Sequence, residues 1–218
     1  MDYKYIVVEG SIGSGKSQLA QRLAEHFNAL YLTESPENNP FLERFYLNAA
    51  NHGLASELYF LLRRAEAIDI INFEEKNNHC IVADFLLEKD QIFVPVVLSS
   101  NEPGNEQTLF WQTKYKIMPE IPVPDLVIYL ETSDDVINKR LQKRTDQSWR
   151  LFPDGYINQI HEGYRRFFHV YDHSPVLTVK ADTFDFANNP EHFEMLLDAI
   201  KNQQGNRLFL NLGFQENE

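Results

Sequence analysis

An apolar run followed at once by three glycines, a lysine and a serine opens the chain: YKYIVVEGSIGSGKSQLA, Tyr3 to Ala20. Gly10, Gly15, Lys16 and Ser17 fit G-x-x-x-x-G-K-[ST], with Gly13 and Ser14 inside the loop. The strand-like segment Tyr5 to Val8 precedes it, and Leu19, Ala20, Leu23, Ala24 and Phe27 follow at helical spacing. Glycines without Cβ let the backbone turn tightly and aim several N–H groups into one concavity. The positive end of the following helix adds to the attraction for phosphate oxygens. The spacing therefore predicts strand, phosphate-binding loop and helix in that order. Gly10, Gly13, Ser14, Gly15, Lys16 and Ser17 hold the phosphates of ATP, Lys16 reaches the β- and γ-phosphates, and Ser17 helps hold Mg²⁺. The competing reading is a glycine-rich turn with no ligand.

With 218 residues the chain suits one α/β domain with a sizeable core. A formal charge of −12 argues against nucleic acid as the main partner, since that binding depends on Lys and Arg neutralising phosphates. The single cysteine, Cys80, can form no internal disulfide, and with no signal peptide in view it points to a cytoplasmic protein. No apolar run approaches the roughly 20 residues needed to cross a bilayer.

Five short apolar segments are predicted as strands: Tyr5–Glu9, Ala29–Glu34, Cys80–Phe85, Leu126–Glu131 and Val176–Lys180. Helical patterns separate them, so the fold class is α/β, a five-stranded parallel sheet flanked by helices. Helices are expected over Phe41–Ala50, Leu54–Lys76 and Glu106–Met118, and the tail from 205 to 218 is expected to be loosely ordered. Ligands of such sheets sit outside the carboxyl ends of the strands. Glu9, Glu34, Asp84 and Glu131 stand at those ends. Phosphoryl transfer to an alcohol needs a base, a metal ligand and cations over the transferring group, and Glu34 and Asp84 can supply the first two.

The phosphate loop, the Glu after the second strand, NPFLERFY, LASELYFLLRR, PDLVIYL and YRRFFHVYDHSPVLTV together resemble the deoxynucleoside kinase family over about Tyr3 to Lys180. The resemblance implies a P-loop kinase fold in a single domain, 1–218, with a lid at about 140–152. It implies transfer of the ATP γ-phosphate to the 5′-hydroxyl of a deoxynucleoside, a purine one, with Mg²⁺ as cofactor and a homodimer as the assembly. Carried over by position, it makes Glu34 the general base, Asp84 an acidic group near the metal and Tyr46 a contact of the sugar 3′-hydroxyl. Glu57 falls where the family has a base-pairing glutamine, Arg64 and Asp90 shape the base pocket, and Arg140 and Arg144 belong to the lid.

The chain also departs from that pattern. Asp84-Phe85-Leu86 lacks the family's arginine after the third strand, Asp146 replaces a lid arginine, and Ser148 and Trp149 stand where a lid carboxylate is expected. An ionised Glu57 only accepts hydrogen bonds and suits guanine; a protonated one imitates glutamine toward adenine; or Glu57 is merely the counter-ion of Arg63 or Arg64. Two other classes stay open: a nucleotide-binding partner or regulatory protein with weak or no transfer activity, and a kinase of another small acceptor such as a nucleoside monophosphate.

Overall fold

Val7 and Val8 lie in β1 (Tyr5–Gly10), whose six residues are all buried, as a continuous apolar run in a sheet covered on both faces requires. β3 (Ile81–Ala83) and β4 (Leu126–Glu131) flank it, while β2 (Leu30–Leu32) and β5 (Val176–Lys180) pair with their outer sides. The structure, a computed structural model, describes residues 3–98, 104–118, 120–143, 148–186, 188–203 and 205–211. All its strand pairs are parallel, in the order β2-β3-β1-β4-β5-β6.

The sixth strand corrects the sequence reading, which stops at five. β6 (Arg207–Leu210) pairs in parallel with β5 and lies in the stretch expected to be loose. Its four residues alternate between exposed and half-buried, so it is an edge strand with no apolar run to announce it. Residues 212–218 lie outside the described residues. Cys80 falls just before β3 and is half-buried, outside the strand assigned to it.

Helices cover both faces. α1 (Lys16–Phe27) and α8 (Pro190–Lys201) bury Leu19, Leu23, Phe193 and Leu196 against one face. The other face carries α2 (Leu42–Leu47), α3 (Ala49–Lys76), α4 (Asp90–Val97), α5 (Asn105–Ile117) and α7 (Tyr156–Val170) around Leu61, Ile92, Phe110 and Ile160. α6 (Asp134–Gln142) follows β4, with the Ser133 hydroxyl accepting from the Val136 N–H at its start. α3 begins five residues earlier than the pattern predicts and runs through Gly53. A Cβ there would stand 3.1 Å from the Val97 carbonyl oxygen, so the glycine serves the close approach of α3 to the end of α4.

Candidate active site

The chain leaves β1 at the centre of the sheet, where the next strand in sequence lies on one side of it and β4 on the other. In a parallel sheet that reversal opens a crevice at the carboxyl ends. The phosphate loop occupies it. Gly13 and Gly15 take φ of 86° and 94°, the left-handed region, and the Ser14 N–H closes a turn onto the Ser11 carbonyl at 3.0 Å. A Cβ on Gly10 would fall 2.6 Å from Ser14 Oγ and 3.0 Å from the Leu130 carbonyl oxygen, so no larger residue fits under the loop. The hydroxyls of Ser11 and Ser14 are buried with no hydrogen-bond partner among the described residues, as expected of a cradle whose partner is an anion.

Glu9, the last residue but one of β1, is almost fully buried. Its carboxylate accepts from the Gly10 and Leu86 N–H groups, each at 2.9 Å, and from the Tyr164 hydroxyl at 2.9 Å. It thereby ties the phosphate loop to the segment after β3 and to α7. Sequence reasoning noted Glu9 only as a strand end, because two of its partners come from residues far along the chain.

Asp84 follows β3 and is held by three donors. The Tyr31 hydroxyl donates at 2.8 Å, the Thr33 hydroxyl at 3.1 Å and the Glu34 N–H at 3.3 Å. Burial, followed by Asp84, pushes the Tyr31 phenol up to about 12, with Thr33 and Ser17 opposing the rise. One hydroxyl, Ser17, and one carboxylate, Asp84, are a lean donor set, but it is the set Mg²⁺ uses when phosphate oxygens and water supply its other ligands. Among the described residues there is no cluster of three or more His, Cys, Asp or Glu side chains that would hold a metal by itself.

Glu34 lies beside this group and is buried. Arg64 donates to one of its oxygens, and Lys89 donates to the other at 2.7 Å. Arg64 gives its remaining terminal nitrogen to Asp90, whose second oxygen accepts from Lys114 at 2.8 Å. The result is a line of alternating charge, Lys89–Glu34–Arg64–Asp90–Lys114, joining the loop after β2 to α3, α4 and α5. Burial would push the Glu34 carboxyl up, but Lys89 first and Arg64 next outweigh it and hold its pKa near about 2. Lys16 is lowered, first by burial and then by the like charge of Lys89.

Glu57 lies on α3, seven residues and two turns before Arg64, and is 4% exposed. Arg64 spends its terminal nitrogens on Glu34 and Asp90, so Glu57 has no ion pair among the described residues. Burial raises its pKa to about 8; Arg64 opposes the rise, while Asp90 and Glu34 add to it. Glu57 is therefore protonated at neutral pH, and its counter-ion reading fails: Arg63 pairs with Glu66 instead.

Tyr46 packs edge-on against Phe152, with ring centroids 4.6 Å apart, and lies near Tyr156. Burial raises the pKa of the Tyr156 phenol, and Tyr46, Glu57 and Glu34 add to the rise. Arg140 lies on α6 and donates to the Ser14 carbonyl at 2.7 Å and the Ala181 carbonyl at 3.0 Å, a fastening of α6 to the phosphate loop. Arg144 and Asp146 lie outside the described residues, as do the side chains of Ser148 and Trp149. Phe85 is buried in the core.

Residues 6–204 match the family model described as deoxynucleoside kinase. The deoxyguanosine kinase of Bacillus subtilis strain 168 is 27% identical over 202 residues, covering 90% of this chain and 96% of that protein. The deoxyadenosine kinase of Lactobacillus acidophilus is 28% identical over 205 residues, covering 89% of this chain and 94% of that one. A solved structure of deoxyadenosine kinase from M. mycoides with bound dATP superposes with a TM-score of 0.76 at 24% identity, over 91% of this chain and 99% of that chain.

Proposed function

This chain belongs to the deoxynucleoside kinase family, and from that premise we propose that it transfers the γ-phosphoryl group of ATP to the 5′-hydroxyl of a purine deoxynucleoside. The observation that carries the reading is the placement of a fixed, ionised carboxylate, Glu34, beside a complete phosphate loop. Curated relatives named deoxyguanosine and deoxyadenosine kinases support the purine. The two other classes left open by the sequence gain no support from these relatives.

In the proposed reaction the 5′-hydroxyl donates to Glu34 and gives up its proton there as the oxygen bonds to the γ-phosphorus. The bond from that phosphorus to the β–γ bridging oxygen breaks, and its electrons leave on ADP. Glu34 is a weak base at a pKa near about 2, so its main task is orientation, with proton transfer late, as suits a loose transition state. Lys16 and the N–H groups of the loop between Gly10 and Ser17 hold the phosphates. Ser17 and Asp84 are the residues that would hold Mg²⁺, which when bound neutralises charge on the phosphate oxygens. Tyr46 contacts the sugar, and Glu57, Arg64 and Asp90 shape the base pocket. Residues 140–152 act as the lid, with Arg140 and Arg144 as its cations.

A neutral Glu57 can donate to guanine O6 and accept from its N1–H, or donate to adenine N1 and accept from the adenine amine. Cytosine and thymine present the same two edges, so Glu57 sorts bases by edge alone and the purine rests on the relatives named above. Exposed apolar side chains on two packed helices, Leu62 and Phe73 of α3 and Leu109 and Tyr115 of α5, offer a seat for a second copy, and light scattering tests that homodimer. We assign the chain to the cytoplasm; separately, no helix among the described residues is long and apolar enough to cross a membrane. The deciding experiment is a screen of the four deoxynucleosides with ATP and Mg²⁺, following ADP release. Purine-dependent release is expected, and its absence for all four would overturn the reading.

A further inference from the structure

We propose that Lys89 is a positioning residue for phosphoryl transfer: its ammonium group fixes the plane of the Glu34 carboxylate so that the acceptor hydroxyl meets a held oxygen. This rests on the reading of Glu34 as the group that orients the hydroxyl.

An arginine can clamp a carboxylate with two parallel hydrogen bonds, and that alone would fix its plane. Arg64 does not do so. It divides its terminal nitrogens between Glu34 and Asp90, leaving Glu34 one bond from the guanidinium and a free terminal torsion. Lys89 supplies the second point, 2.7 Å from the other carboxylate oxygen. With both oxygens held, the carboxylate plane is fixed and each oxygen keeps a lone pair in that plane to receive a hydroxyl.

Lys89 is built for that place. Its side chain is 8% exposed, and a lysine so buried keeps its charge only where a carboxylate compensates the lost water. Burial opposes the charge, but Glu34 and then Glu9 outweigh it and raise its pKa. The ammonium also stands 5.2 Å from the centroid of the Phe93 ring, one turn further along α4, and Phe93 packs edge-on against Tyr164. Tyr164 in turn bonds Glu9 under the phosphate loop. Lys89 is therefore braced from α4 and α7 and its charge reaches Lys16, whereas Arg64 is engaged first with Asp90 and then with Glu34.

The test compares Lys89→Met and Lys89→Arg in the wild-type chain and in a Glu34→Gln background, using the deoxynucleoside that the wild type turns over best. Lys89→Met is expected to lower kcat by about 30-fold or more with the nucleoside KM changed less than about threefold, and Lys89→Arg to recover most of the loss. In the Glu34→Gln background the same Lys89→Met change should cost less than about threefold, because the lysine acts through the carboxylate already removed. A lysine that only stabilises the fold would lower activity equally in both backgrounds, and that additivity would overturn the proposal. So would an unchanged kcat, or a loss confined to KM. Should Lys89→Met fail to fold, Lys89→Ala with added methylammonium carries the same comparison: the amine should raise kcat only where Glu34 is present, and a rise in both backgrounds, or in neither, overturns the proposal. A wild-type chain inert toward every deoxynucleoside removes the reading of Glu34 and this proposal with it. An active wild type with additive losses removes this proposal alone.

Discussion

Glu34 and Glu57 are buried carboxyl groups under the influence of the same guanidinium, and the interior drives their protons in opposite directions. Glu34 has Lys89 and Arg64 in contact and is held near about 2; Glu57 has no ion pair and is raised to about 8. The charged groups acting on Glu57 are Arg64, Asp90, Glu34 and Lys89. As pH rises through about 8, Glu57 loses the proton it would donate to adenine N1, while guanine still offers N1–H and its amine to an ionised carboxylate. The ratio of kcat/KM for deoxyguanosine over deoxyadenosine should therefore climb between pH 7 and 9, by about tenfold, and stay flat in Glu57→Gln. A flat ratio in the wild type would mean that Glu57 does not read the base. The protonation state of Glu57 was not legible in the sequence, since it depends on where Arg64 spends its donors. The phosphate loop was legible, because its chemistry lies within eight consecutive residues. Lys16→Ala should cut ATP turnover at least about a hundredfold in a protein that still melts normally, and unchanged turnover would refute that loop assignment.

At the scale of the element, the strands with apolar runs were readable and those without were not. β1 and β4 are spelled by YIVVE and LVIYL, whereas β6 is four alternating residues at an edge. The start of α3 was misplaced because the apolar stripe begins only at Leu54, whereas the helix begins at Ala49 and carries Gly53 at a close crossing. Glycine in a helix is worse than alanine by about 0.5–1 kcal/mol, so the helix alone would favour replacing it. The crossing decides otherwise, because one of the atoms 3.1 Å from a new Cβ is backbone oxygen of Val97. Gly53→Ala should lower stability by about 1 kcal/mol, read from the denaturant midpoint, and Gly53→Val by more. A gain for the alanine variant would show that the end of α4 yields to α3. Lys89 and Lys114 escaped the sequence reading for a similar reason: a lysine on a helix reads as solvated until the packing of its neighbours is known.

For the molecule as a whole, the two glutamates set opposing slopes of stability against pH. Glu34, lowered from an ordinary 4.5, contributes stability that is present above 4.5 and lost as pH falls toward about 2. Glu57, raised from the same value, contributes stability that is present below 4.5 and lost as pH rises toward about 8, since over that range the unfolded chain binds fewer protons than the folded one. Between pH 5 and 8 the wild type should lose up to about 1.4 kcal/mol per pH unit to this one group. Glu57→Gln should remove that component from the slope, measured by urea unfolding across the range, and an unaltered slope would place Glu57 in water. The line of charges that begins at Lys89 ends at Lys114, whose ammonium lies 5.6 Å from the centroid of the Trp111 ring. Trp111 and Trp149 are the two tryptophans of the chain. With Trp149 replaced by phenylalanine, the indole at α5 becomes an optical reporter of charge movement in the acceptor site: nucleoside binding that disturbs Arg64 or Asp90 should shift Trp111 emission, turning a buried electrostatic relay into a visible signal.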